Sequence, residues 1–290
     1  MTNAHDVDGA FDPARFFHHF PRFVETSETG PWLDRLNARY LALIHANREL
    51  IAGARILDLA SHDGRFSFAA LQNGASRVVG IEHEPHLVRT ANENMEHHDV
   101  AQDRYDFVLG DMFECIPEVG HCDIVFCFGI LYHINDHMRL LQLIAELEPR
   151  AVIIDTNVSL MEAAVVEVRA PVAGSPPPPG AQLEGWPSRA ALSAMLSSLG
   201  WTFGYVDWAG SGLADAPKMD DYRAGRRVTA VVTGNERVDP EIRERAVATV
   251  FERQQDRRTQ WITIIETATQ FGLTPQALAV WVRRAERRDG

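Results

Sequence analysis

From residue 55 onward, short apolar runs alternate with stretches whose apolar residues recur at helical spacing. The runs are RILDLA (55–60), RVVGIE (77–82), YDFVLG (105–110), DIVFCFG (123–129), AVIIDT (151–156), FGYVDW (203–208) and RVTAVVT (227–233). The first five are short, β-branched and apolar at nearly every position, the pattern of parallel strands buried on both faces. Helix-length segments such as FSFAALQNG and HLVRTANENMEHH separate them. Strand–helix alternation predicts an α/β, Rossmann-like, seven-stranded and mostly parallel sheet with helices on both faces. No long helix joins the last two runs; the loop GSGLADAPKMDDYRAG does, which predicts an antiparallel pair at the sheet edge.

Two flanking regions differ from this core. Residues 11–50 read as helices, with WLDRLNARYLALIHANREL carrying apolar residues at helical spacing, and residues 1–50 are expected to form a helical cap. Residues 51–234 hold the sheet. Within them APVAGSPPPPGAQ (170–182) is a proline-rich loop, and PSRAALSAMLSSLG (187–200) reads as a helix with Pro187 early and Gly200 as its stop. Residues 235–290 show helical segments and no strand pattern. The charge shifts at the same boundary: the tail carries 10 basic and 9 acidic residues, against 18 and 31 before it.

Composition narrows the function classes. With 290 residues, 46% of them hydrophobic, the chain can bury a large core. A net charge of -12 gives no long-range attraction to nucleic acid or to an anionic membrane. Cys115, Cys122 and Cys127 form no CxxC pair, which argues against zinc or a disulfide framework. The opening MTNAHDVDGAFDP has no basic n-region followed by an apolar stretch, and no apolar run approaches the ~20 residues of a membrane span. The expected location is cytoplasmic.

The first strand ends at Asp58 and enters the turn Leu59-Ala60-Ser61-His62-Asp63-Gly64; the second ends at Glu82. A strand, a tight turn and a helix, followed by an acid at the next strand end, suit a nucleotide cofactor whose ribose the acid binds. This much fits NAD or S-adenosylmethionine (AdoMet).

The set as a whole resembles the class I AdoMet-dependent methyltransferases, well over about residues 50–160 and loosely over 185–234. Asp58 and Gly64 match the ends of the family's first motif, while Ala60 and His62 replace its middle glycines. AdoMet has no pyrophosphate, so the loop need not approach a phosphate closely. The resemblance implies AdoMet as cofactor, held by Asp58, Ala60, Ser61, Gly64, Glu82 and His83. Glu82 would take the ribose. In GDMFE, Asp111 would accept from the adenine amine and Met112 would pack on the ring. Phe128 belongs to FCFGILYHI, the segment that lines the methyl donor.

Methyl transfer from a sulfonium is an in-line displacement that depends on placement, and an alcohol acceptor must also lose a proton. His133 follows the fourth strand and is the candidate base; a role in positioning its loop stands equally open. Asp155 and Asn157 leave the fifth strand on the same edge and are candidates to hold the acceptor or orient His133. A metal site is the weakest option there, since one carboxylate and one amide make a poor ligand set. Tyr132 is a candidate wall of the acceptor pocket. The adjacent pairs His18-His19 and His97-His98 read as surface or lid residues. Phe16, Phe17, Trp32 and Tyr40 suit an aromatic wall over the cofactor or, for most of them, plain core packing.

The expected activity is methylation of a small molecule, at oxygen, with a homodimer as an open possibility. GILYH and the later PSRAAL also resemble bacterial enzymes that modify the tRNA wobble uridine, but the acidic charge of residues 1–234 argues against an RNA partner. The tail resembles the N-terminal helix-turn-helix of insertion-element transposases. In ATQFGLTPQALAVWVRR, Gly272 suits the turn, Thr274 an N-cap and Pro275 a first helical position, and Arg283, Arg284, Arg287 and Arg288 suit phosphates. A DNA-binding, dimerising or regulatory tail competes with a mobile-element fragment that has no duty; the near-neutral charge favours the fragment.

Overall fold

A strand whose side chains are apolar on both faces needs a cover on each side, and five of the seven predicted strands are buried along nearly their whole length. In the computed structural model of the chain, the described residues are 11–28, 32–171, 183–233, 240–253, 260–273, 278–279, 281–282 and 285–286. The strands are β1 (Arg55–Leu59), β2 (Arg77–Glu82), β3 (Tyr105–Leu109), β4 (Ile124–Phe128), β5 (Ala151–Asn157), β8 (Thr202–Tyr205) and β9 (Arg227–Thr233), with β6 (Val166–Arg169) and β7 (Glu184–Pro187) apart from them. The main sheet runs β3-β2-β1-β4-β5-β9-β8. Its first five strands are parallel, and β9 is antiparallel to both β5 and β8.

Alternate residues divide the core. Ile56, Val78, Ile124, Phe126 and Ile153 join one cluster with Phe68, Ala69 and Ala70 of α2 (Arg65–Gln72) and Ala91 and Met95 of α3 (Pro85–His97). Helix α1 (Leu33–Leu43) adds Leu36, Tyr40 and Leu43 to that side. Leu57, Leu59, Val79, Val125, Val152 and Ile154 face the other side. There α4 (His137–Glu146) contributes Leu140, Leu141 and Ile144, and α5 (Arg189–Ser198) contributes Leu192 and Leu196. Full burial of each such aliphatic chain contributes roughly 1.5–3 kcal/mol.

Three local expectations are corrected. Helix α5 starts after Ser188, whose hydroxyl accepts the Ala191 N–H, while Pro187 closes β7 instead of opening the helix. The joining loop before β9 contains a 3-10 turn, Leu213–Asp215, and a helical turn, Asp220–Arg223. The apolar pattern predicts no strand over residues 166–187, yet β6 and β7 pair there as an antiparallel ribbon. Both are only four residues long, and β7 carries glycine and proline, so alternation alone does not reveal the pair.

In the tail, α6 (Pro240–Arg253) and α7 (Gln260–Phe271) share an apolar cluster that includes Ala246, Val250, Ile264, Ala268, Leu278 and Trp281. The turn at Gly272 follows α7 with φ 66°. Thr274, Pro275, Arg283, Arg284, Arg287 and Arg288 lie outside the described residues, as do Gly234 and most of the proline-rich loop. Among the described residues no helix is long and apolar enough to cross a membrane.

Candidate functional site

The turn after β1 keeps the geometry of a glycine-rich loop without its glycines. Ala60 (φ 54°), His62 (φ 54°) and Gly64 (φ 78°) are all left-handed, at the alternate positions where glycine is expected. A left-handed residue with a Cβ costs about 1–2 kcal/mol, so the loop must be held. Glu82 holds one side, accepting from His62 N–H at 2.9 Å. The Ser61 N–H donates to the Ile81 carbonyl at 3.1 Å. Asp63 holds the other side: its carboxylate accepts from Arg65 Nε and from Thr26 Oγ1, both at 2.7 Å. At Gly64 a Cβ would stand 3.0 Å from the Phe107 ring as well as being strained by its φ.

The two acids at successive strand ends do meet this loop. Asp58 is buried and accepts from Ser67 Oγ of α2 at 2.6 Å. Burial pushes its pKa up to about 7; the Ser67 hydrogen bond opposes the shift, and the charges of Glu82 and Asp63 add to it. Burial also disfavours ionised Asp63, but Arg65 and His62 outweigh it and hold that carboxyl below its usual range. Besides His62, Glu82 accepts from His83 N–H at 2.8 Å and Glu84 N–H at 3.1 Å. The Ser61 hydroxyl is buried without a hydrogen-bond partner.

Next to the loop lies a cavity of about 360 Å3 lined by Ala60, Ile81, His83, Leu109, Asp111 and Met112, among others. Loops at the carboxyl ends of β1, β2 and β3 thus converge on one apolar slot with a polar rim, the edge where open α/β sheets bind ligands. Asp111 caps its helical turn by accepting from Phe113 N–H at 2.7 Å. Phe128 is buried, stacked on Phe126 at 4.8 Å and edge-on to Phe66 at 5.2 Å.

After β4 the structure pairs His133 with a residue that sequence reasoning missed. The buried Glu184 of β7 places Oε1 3.1 Å from His133 Nδ1, and its Oε2 accepts from Trp186 Nε1 at 2.8 Å. Tyr132 packs on the His133 ring at 4.0 Å and edges Trp186 at 5.5 Å. Burial lowers the His133 pKa, and Glu184 counteracts that in part. The ribbon is fastened to this turn: Asn135 donates to the Leu183 carbonyl at 3.0 Å, and His137 Nε2 lies 2.9 Å from the Gly185 carbonyl. Gly185 permits the approach, since a Cβ there would stand 2.6 Å from the Ile134 carbonyl. A lone acid flanked by apolar residues in LEGWP was the available signal, because a buried carboxylate needs a partner.

Asp155 does not orient His133 or stand free for an acceptor, and that expectation is corrected. Its carboxylate is fully buried and accepts from Arg39 at 3.1 Å, Arg227 Nε at 2.6 Å, and the Tyr222 and Thr229 hydroxyls at 2.8 Å each. Burial would raise its pKa, but the two arginines outweigh that and hold it below the usual range. Asn157, half-buried, stands opposite Arg227 in the β5–β9 ladder.

The remaining candidates separate. Phe16, Phe17 and Tyr40 are core residues, with Phe16 stacked on Tyr40 at 4.1 Å, whereas Trp32 is exposed. His98 is half-buried, not a free surface residue: it packs against Phe68, Phe23 and Phe20 at 4.7, 5.4 and 5.3 Å, and burial lowers its pKa to about 4.

Residues 50–171 match the methyltransferase domain family. The sheet has the Rossmann-like methyltransferase fold. It superposes on the N-terminal domain of EvdMO1 with SAH bound at a TM-score of 0.51 and 20% identity, covering 69% of this chain and 80% of that one. A Methanocaldococcus jannaschii protein, provisionally named a ribosomal RNA large subunit methyltransferase, is 32% identical over 96 residues, 33% of this chain and 24% of its own. This chain therefore spans about a quarter of that relative. An uncharacterized 12 kDa protein of insertion element IS629 from Shigella flexneri is 46% identical over 59 residues, 20% of this chain and 55% of that protein.

Proposed function

We propose that the chain is an AdoMet-dependent methyltransferase that methylates a small molecule at oxygen. The donor lies along the carboxyl edge of the sheet, with its adenosine in the slot beside Ala60 and Met112 and its ribose hydroxyls on Glu82. Its cationic amino-acid end faces the loop that Asp58 supports. The observation that carries the reading is the loop of three left-handed residues after β1, backed by the buried Asp58 and held by Glu82, whose Ala60 lines the slot. AdoMet supplies the electrophilic methyl group; the protein's own part is alignment and proton removal. His133 takes the hydroxyl proton through Nε2, while the Glu184 carboxylate, 3.1 Å from Nδ1, stabilises the imidazolium that forms. The dyad favours an acceptor that must be deprotonated, hence oxygen over a neutral amine.

A ribosomal RNA acceptor is the second reading, supported by the relative from Methanocaldococcus jannaschii. The net charge of -12 weighs against it. For the tail, the insertion-element match has a length close to that of the tail and supports a mobile-element fragment. The donor site is tested by calorimetric titration of AdoMet into wild type and Glu82→Ala. A charged hydrogen-bond acceptor contributes ~1.5–3 kcal/mol, so affinity is expected to fall roughly tenfold or more; equal affinities would remove the ribose assignment.

A further inference from the structure

The polar hub at the end of β5 holds two guanidinium groups on one carboxylate. Arg39 comes from α1 and Arg227 from the start of β9, and both bond Asp155 Oδ1. The other partners of Asp155, the Tyr222 and Thr229 hydroxyls, bring no charge. Neighbouring Arg35 is already matched by Asp221, with two contacts of 2.7 Å. The hub therefore carries one more cation than anion. A buried charge left without a counter-ion is unfavourable, and two arginines on one acid leave that deficit standing.

Arg39 is the member with free capacity. Its Nη2 is on Asp155, its Nε is buried with no hydrogen-bond partner, and the Phe66 ring covers it at 4.9 Å. Its side chain is 13% exposed. Arg39 adjoins the methyl-transfer side of the sheet: the Phe66 ring that covers it contacts Phe128 at the end of β4, and Arg227, which shares Asp155 with it, is close enough to Tyr132, the ring packed on His133, to interact with it electrostatically. A planar guanidinium fork with unused N–H groups matches a carboxylate.

We propose that Arg39, backed by Arg227 and Asp155, is a carboxylate-binding subsite of the methyl-transfer site, and that it selects acceptors carrying a carboxylate. The same chemistry is present in the amino-acid end of the donor, which is the second source. In a chain of net charge -12 an anion gains nothing from the overall field, so uptake of a carboxylate must be local. The choice between sources rests on the donor reading above; carboxylate binding itself does not.

Calorimetry on the full chain tests it, with benzoate as the carboxylate probe and benzamide as its neutral counterpart. Wild type is expected to bind benzoate saturably and about tenfold or more tighter than benzamide. Arg39→Gln should bring the two within about twofold, and Arg39→Lys, which keeps the charge and loses the fork, should fall between. Near-UV circular dichroism checks that each variant is folded; if Arg39→Gln is not, Arg39→Lys alone decides. No preference for benzoate in wild type, or a full preference in the folded variants, overturns the subsite. Repeating the titration with saturating S-adenosylhomocysteine separates the sources. Benzoate binding that persists assigns the subsite to the acceptor, whereas exclusion assigns it to the donor and overturns the acceptor half of the proposal. Failure of S-adenosylhomocysteine to bind would sink the donor reading and leave the benzoate result standing.

Discussion

The two halves of the sheet edge are built differently. On the β1–β2–β3 side, the site is backbone: a loop with three left-handed residues, pinned by N–H groups on Glu82, and a slot lined by three consecutive strand ends. On the β4–β5–β9 side, it is long side chains reaching across the chain. His133 meets Glu184, and Asp155 meets Arg39 and Arg227, over separations of 51, 116 and 72 residues. The first half is suited to an invariant ligand. The second can be rebuilt by changing a ribbon or a cap, which is how one fold serves many acceptors.

The sharpest way to break this contrast is at the base. With an acceptor that supports turnover, His133→Ala is expected to lower kcat by ~10²–10⁴-fold, the range of general acid–base catalysis, while AdoMet affinity is kept. Glu184→Gln should act in the same direction but less. It removes the influence that opposes desolvation of His133, so the lower limb of the pH–rate profile moves to lower pH. A profile that stays in place would reduce Glu184 to holding the ribbon.

On the donor side the next largest effect is at Asp58. A carboxyl whose folded pKa is raised above its unfolded value binds more protons when folded. Its penalty is absent below the unfolded pKa, grows as pH rises from about 4, and is complete above about 7. Asp58→Asn is therefore expected to stabilise the ligand-free protein at pH 8, by up to roughly 4 kcal/mol, and to gain little at pH 4. It should also weaken AdoMet binding. Thermal unfolding at the two pH values measures the first effect; equal Tm gains at both would contradict it.

The smallest effect distinguishes a strained loop from a relaxed one. At an ordinary site Ala→Gly costs about 0.4–1 kcal/mol through the unfolded chain. At Ala60 the relief of left-handed strain offsets that, and Ala60→Gly is expected to be neutral or stabilising by under about 1 kcal/mol. Denaturant unfolding that shows an ordinary Ala→Gly loss would mean the loop is not strained there.

The sequence by itself determined the sheet. Seven apolar runs and the antiparallel edge follow from the pattern of burial and from the missing crossover helix, and the loop after β1 and the acid ending β2 follow from their positions at strand ends. Those features are local, so spacing carries them. Only the tertiary structure decided that Ala60 and His62 take up glycine geometry, because the hydrogen bonds that hold them come from Glu82 and its neighbours. It alone separated His133 from Asp155 and gave each a partner. The strand that delivers Glu184 is four residues long with a glycine and a proline, too short to show a period, and the residues that fill Asp155 come from the cap, the last strand and the helical turn before it. Contacts between residues far apart in the chain leave no spacing to read, and side-chain charges find their partners only once the fold has brought them out of water.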